Sequence, residues 1–317
     1  MRKIVIMSLA VLLLFGFTGC GAKEDARFKE NAKDIVFNAV SKLSEANSIE
    51  YSYTEATELM FSDATRSLSF SESEIKMLRT PFTIFSRIMT ENESDGEQGK
   101  FYREMYSTVD NGILSIFVRP SFDSSNTELG EWHLTMEADE KLTTSFITSN
   151  IMTFQAAQFI IESNIDSFTY VETENAGKDA LVKFKGAIDP QTVLDAYRIY
   201  LRESFLEVPT TPTPLRNIDD PTDEQIKDEI RSGEHYELLH GIPSLAFSDG
   251  PTPIFIWIEK ESMTIKIIEV DRREEVQAIS DTIAAQESYL QEATCEKAFA
   301  IFEIFGTDTF TTMVRPE

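Results

Sequence analysis

The sequence predicts an α+β fold in which one curved antiparallel β-sheet of about ten strands is wrapped on helices from residues 28–46, 142–165 and 190–206. Three observations carry this. Strand-like stretches come in runs joined by tight turns instead of alternating with helices, which is the order of an antiparallel sheet. Asn111-Gly112 sits between two alternating stretches, the strongest short hairpin signal a sequence offers. Residues 142–165 carry closely spaced apolar side chains and neither Gly nor Pro, so they read as helix. The same order argues against a solute-binding architecture, whose strands and helices would alternate along the chain.

Ahead of the folded part, Met1-Arg2-Lys3 opens an apolar run from Ile4 to Phe17 that closes on Phe17-Thr18-Gly19-Cys20. This is the layout of a bacterial lipoprotein signal peptide, with small residues at the cleavage site and a thiol to receive the lipid. Phe17 stands where Leu is usual, and an ordinary secretory signal with an incidental cysteine is the alternative. The run is too short to span a bilayer comfortably as a permanent helix. Residues 1–19 are therefore expected to be removed and Cys20 to carry the lipid, with 20–27 as a polar tether. Gly21 gives no retention signal, so the final membrane stays open.

Phe28, Ala32, Ile35, Val36, Val40 and Leu43 form a helical stripe. Ile49, Tyr51 and Tyr53 then alternate with polar residues and the phase recurs at Leu59 and Phe61, a half-buried strand. Leu68 with Phe70 begins a second strand, and Phe82 with Ile84 a third. Near Ile75 to Leu78 the alternation slips by one residue, which predicts a bulge or bend. Phe101 to Val109 and Ile113 to Arg119 are the arms of the Asn-Gly hairpin. Trp132, Leu134 and Met136 alternate in another strand after a polar loop, Ser121 to Gly130. Phe168 to Tyr170 and Leu181 to Phe184 flank Asn175-Ala176-Gly177 as a hairpin. Asp189-Pro190 starts a helix, the carboxylate capping it and Pro occupying the first turn.

Pro209 to Pro214 reads as an extended connector, because its prolines suit neither helix nor central strand. It opens a charged insertion, about 207–240, with one short helix from Thr222 and too few apolar residues for a core of its own. Ile254 to Ile258 and Ile265 to Val270 form a strand pair, and a helix follows from Glu274 to about Leu290. Phe299 to Phe305 and Phe310 to Val314 are expected as strands around Gly306-Thr307-Asp308. Residues 28–317 are thus expected to form a single domain.

Losing Arg2 and Lys3 with the leader leaves 27 basic against 54 acidic residues, about −27 at neutral pH. That charge repels phosphates, so nucleic acid and anionic lipid surfaces are disfavoured as partners. A chain that is 42% hydrophobic with 23 Phe buries a large core, which excludes charge-driven disorder. With Cys20 acylated, Cys295 has no partner for a disulfide, and Glu292 and Glu296 beside it are expected to raise its thiol pKa.

The leader with its lipidation box, a helix ending in Ser41-Lys42-Leu43-Ser44-Glu45-Ala46-Asn47-Ser48, serine- and tyrosine-rich strands, the Asn-Gly hairpin and Glu131-Trp132 together have a familiar layout. The chain resembles the LolA/LppX-like lipoprotein carriers and related Gram-positive lipoproteins over most of 28–205 and 242–317. The resemblance implies an incompletely closed antiparallel sheet around a helix-plugged apolar cavity, and a lipid or acyl chain as cargo. The long acidic, Pro-rich insertion departs from that pattern.

No nucleophile elbow, HExxH, phosphate loop or dinucleotide fingerprint occurs, so no catalytic residue is nominated and no enzyme is expected. His235 and His240 lie five apart, a spacing that does not stack two imidazoles on one helical face, and His133 is expected to point into solvent. The loop with Asp123, Asn126, Glu128 and Glu131 lacks the regular alternation of a calcium loop. Neither a metal nor a cofactor is therefore expected. Tyr51, Tyr53, Phe61, Phe70, Phe82, Ile84, Met105, Trp132, Met136 and Trp257 are the candidate cavity wall, being adaptable apolar side chains on strand faces. Ordinary core packing is the competing account of each.

Two functions remain in view. One is a membrane-anchored, extracytoplasmic, non-enzymatic binder or carrier of an apolar, lipid-like ligand. The other is a surface interaction protein with a solid core, meeting a protein partner through its acidic exterior or insertion. The sequence points to no particular partner protein.

Overall fold

The computed structural model describes residues 26–94, 97–120, 130–138, 143, 147, 155–174, 180–205, 221–232, 242–286 and 293–314. The leader, Cys20, the 121–129 loop, Asn175-Ala176-Gly177, Pro209 to Pro214, His235, His240 and Glu292 lie outside them.

Eleven strands form one open antiparallel sheet. They are β1 (Ser48–Phe61), β2 (Arg66–Arg79), β3 (Phe82–Ser94), β4 (Glu97–Asp110), β5 (Ile113–Pro120), β6 (His133–Ala138), β7 (Thr169–Glu174), β8 (Leu181–Ile188), β9 (Thr252–Glu259), β10 (Thr264–Asp271) and β11 (Ala293–Thr307). The spatial order is β6-β5-β4-β3-β2-β1-β11-β10-β9-β8-β7, so β6 and β7 are free edges. Two sequence-ordered meanders meet where β1 pairs with β11, from Ile49 opposite Thr307 to Phe61 opposite Ala293.

Local chemistry accounts for the turns and caps. Asn111 and Gly112 both take positive φ, 52° and 80°, the pairing a two-residue hairpin with the native twist requires. The longer helices among the described residues are α1 (Ala32–Glu45), α2 (155–163), α3 (Pro190–Phe205), α4 (Asp223–Ser232) and α5 (Arg273–Gln286). Asp189 caps α3 as expected, its carboxylate accepting from Gln191 N at 2.9 Å. Thr222 and Gln225 form a reciprocal capping box for α4, with Thr222 N donating to Gln225 Oε1 at 2.9 Å. Residues 26–30 are already helical, so the expected tether ends one or two residues early.

Because paired residues share a face, the register assigns every strand side chain. On one face Ile49, Tyr51, Ile75, Met77, Ile84, Phe184, Ile254, Ile256 and Ile304 join Val36 and Val40 of α1 and Leu194 and Tyr197 of α3 in a common core. We call this the core-side face. The other carries Phe255, Trp257, Ile267, Ile301, Phe70 and Tyr106, and we call it the outer face. At Gly186 the backbone passes so close to Phe168 that a Cβ would lie 2.6 Å from the ring. Glycine is required there for space, not for φ.

Several expectations need correction. β2 runs in unbroken register with both neighbours, so the slip near Ile75 to Leu78 is not a bulge. Leu78 simply faces the other way; its partner Ser48 is hydrogen-bonded by Asp308 N and Phe310 N of the segment after β11. That segment, Phe310 to Val314, is not a strand. The bulges lie instead at Phe305 and Glu296 of β11, Lys266 of β10, Thr135 of β6 and Val171 of β7. Of the charged insertion the described residues are 221–232, and there Ile226 of α4 is fully buried in the main core, while Asp223 accepts from Arg198 Nη2 at 2.6 Å.

Candidate functional site

The register gathers six of the ten candidate wall residues and disperses the other four. Two adjacent rows cross the core-side face of β1 to β6. The first is Tyr51, Ile75, Ser86, Met105 and Val118; the second is Ile49, Met77, Ile84, Ser107, Ile116 and Met136. Phe82, two residues before Ile84, extends this surface, and Tyr53 begins the next row. Tyr51, Tyr53, Phe82 and Ile84 are buried and Met105 is half-buried, whereas Met136 on the edge strand is exposed. Burial holds the Tyr51 phenol well above its ordinary pKa.

Phe61 shares this face but lies eight residues from Tyr53, about 27 Å along the strand. Phe70, Trp132 and Trp257 do not belong to the wall. Phe70 pairs with Ala56 and Glu91 on the outer face. Trp132 lies beneath the Arg119 guanidinium, because the bulge at Thr135 puts Leu134 opposite Phe117 on the outer face and Met136 opposite Ile116 on the inner one. Trp257 is buried, yet on the outer face: Lys183 lies 4.5 Å above its ring and its indole N–H donates to Glu174 at 2.9 Å. His133, which starts β6, is exposed as expected.

The two rows contain polar atoms that composition gave no reason to single out. Ser86 is 5% exposed and Ser107 0%, and neither hydroxyl has a hydrogen-bond partner among the described residues. Leaving a buried hydroxyl unsatisfied costs about 1–3 kcal/mol. Arg103, one step from Met105 on the same face, has a buried Nε that is likewise unpartnered; its guanidinium lies 6.0 Å from the Phe101 ring. Arg87 and Arg119 on the flanking strands, and Arg66 on β2, each meet a carboxylate, but Arg103 meets none among the described residues. The sequence signal was parity alone: Ser86 continues the phase of Phe82 and Ile84.

A second polar cluster ties α5 to the sheet. Arg272 grips Glu275 bidentately at 2.8 Å and also bonds Glu55, which accepts the Tyr53 hydroxyl at 2.8 Å. Beside it Gln277 serves the end of β11 that lacks a β10 partner, accepting from Cys295 N at 2.7 Å and donating to Ala293 O at 2.9 Å. The Cys295 thiol is raised chiefly by burial, with Asp271 and Glu275 adding to it and Arg273 opposing. The expected direction holds, but its main cause is desolvation and not the flanking glutamates.

An open cleft of about 500 Å³ lies between α1 and β7, away from these rows. Its lining combines Lys29, Glu30, Asp34 and the Lys33–Asp166 ion pair with the rings of Phe168 and Tyr170. No group of three or more His, Cys, Asp or Glu that could hold a metal ion occurs among the described residues. No helix among them is long and apolar enough to cross a membrane. Comparison with family models and with curated proteins returns no match.

Proposed function

We propose that the protein is a non-enzymatic binder or carrier of an apolar, lipid-like ligand, tethered through lipidated Cys20 to the extracytoplasmic face of a bacterial membrane. In this reading the open sheet curves around its helices as in the LolA/LppX-like carriers, within one domain spanning residues 28–317. The ligand lies on the core-side face of β1 to β5. The observation that carries the reading is the pair of rows through Tyr51 and Ile84, a continuous apolar surface interrupted only by unpartnered hydroxyls. A solid core has no use for those two hydroxyls; a site for an amphiphile does.

Native mass spectrometry of the mature chain from its host, released from the membrane, tests this. A co-purifying lipid is expected, and Ile84→Asp is expected to abolish it, since a carboxylate against an acyl chain is strongly unfavourable. A retained melting transition is the control for folding. A clean apo mass for the folded wild-type chain would overturn the reading and leave the surface interaction protein ahead. Phe70→Asp and Trp132→Asp are expected to keep the ligand, because both positions face outward.

The anchor has its own test. Cys20→Ser is expected to abolish metabolic acyl labelling completely and to leave an unprocessed or released form. Undiminished labelling in that variant would refute the anchor.

A further inference from the structure

Resting on the reading above, we infer that the ligand is an anionic amphiphile with an ester or hydroxyl group close to its head, held by Arg103, Ser86 and Ser107. Three unpartnered buried polar atoms fall within adjacent rows of one face, on two adjacent strands. Their arrangement is graded. Arg103 stands where β4 passes from exposed Phe101 to buried Ser107, so its guanidinium marks the rim. Met105 and its partner Ser86 come one step inward, about 7 Å along the strand. Ser107 lies one further step in, diagonal to Ser86 at about 7–8 Å.

Each position asks for a different part of one molecule. A guanidinium that meets no carboxylate among the described residues suits a carboxylate or phosphate brought by the ligand. A serine hydroxyl donates to or accepts from an ester or hydroxyl oxygen. Beyond them Tyr51, Ile75, Met77 and Ile84, which share the core with α1 and α3, present apolar side chains for a chain to lie against. A simple hydrocarbon would leave all three polar atoms unsatisfied. Monoacyl glycerophospholipids and hydroxylated fatty acids share the required chemistry.

The experiment titrates the mature chain carrying Cys20→Ser with three probes: 1-palmitoyl-lysophosphatidylglycerol, 3-hydroxyhexadecanoate and monopalmitoylglycerol. At least one anionic probe is expected to bind tenfold or more tighter than the neutral glyceride, and the tighter of the two identifies the source. Arg103→Met is expected to bring the anionic-to-neutral ratio close to one. Arg66→Met, paired with Glu58 on the outer face, is expected to preserve it. Ser86→Ala with Ser107→Ala is expected to weaken the better anionic probe about tenfold with the melting transition retained. If the neutral glyceride binds as well as both anions, or Arg103→Met keeps the ratio, the inference falls while the apolar-ligand reading stands. If no probe binds to the folded chain, both fall.

Discussion

Replacing Arg272 with methionine is expected to lower stability by about 3–5 kcal/mol, the cost of stranding a buried charge. Arg272 is 3% exposed and Glu275 0%, so no water can replace the lost guanidinium. The variant leaves the Glu275 carboxylate without its two hydrogen bonds and Glu55 without its cation. Urea denaturation of the wild type and Arg272→Met reads this as a fall in midpoint at unchanged slope. A second variant separates charge from packing. Arg272→Met with Glu275→Leu is expected to recover most of the loss, since a buried ion pair exchanged for apolar side chains is often close to neutral. A single variant within about 1 kcal/mol of wild type would show that the cluster is hydrated and contributes little.

Gly186→Val is expected to cost about 3 kcal/mol, at the upper end of overpacking penalties. A Cβ there would meet three atoms of the Phe168 ring at 2.6, 2.7 and 2.8 Å, and the ring is only 1% exposed, so it has nowhere to move. Phe168→Ala alone is expected to cost about 3–5 kcal/mol by opening a cavity. Combined, valine fills part of the space the ring vacated, and the double variant is expected to fall short of the summed losses by 1 kcal/mol or more. Strict additivity in thermal or urea unfolding would mean that the two residues are not in contact.

Much of the fold is legible where local chemistry decides it. Asn111-Gly112, Asp189-Pro190 and Thr222 with Gln225 each act through backbone geometry or a cap within four residues. Facing is harder to read. Ile254 to Ile258 is apolar throughout, so nothing in β9 marks Trp257 as outward; the registers with β8 and β10 do. In β6 the phase of Trp132, Leu134 and Met136 looks uniform, and one extra residue at Thr135 splits it across the sheet. Leu78 read as a slipped core residue because nothing nearby signals that residues 308–310 return to its partner Ser48. The Arg272–Glu275 spacing is visible in the sequence but uninformative among 54 acidic residues.

The pairing of β1 with β11 also dictates when the molecule can assemble. Strands β1 to β6 are sequential neighbours, as are β7 to β11, so within each meander every strand pairs with the next in the chain. Joining them requires contacts such as Tyr51 with Ile304, more than 250 positions apart. Loop closure on that scale slows folding and prolongs the exposure of unpaired strand edges. During synthesis, β1 keeps one open edge until β11 has emerged, and the chain is vulnerable to proteolysis and to strand pairing with other copies throughout that interval. On the anchoring proposed above, a lipid on Cys20 would confine the waiting meander near the membrane, and a chaperone that shields strand edges would be needed most at that stage.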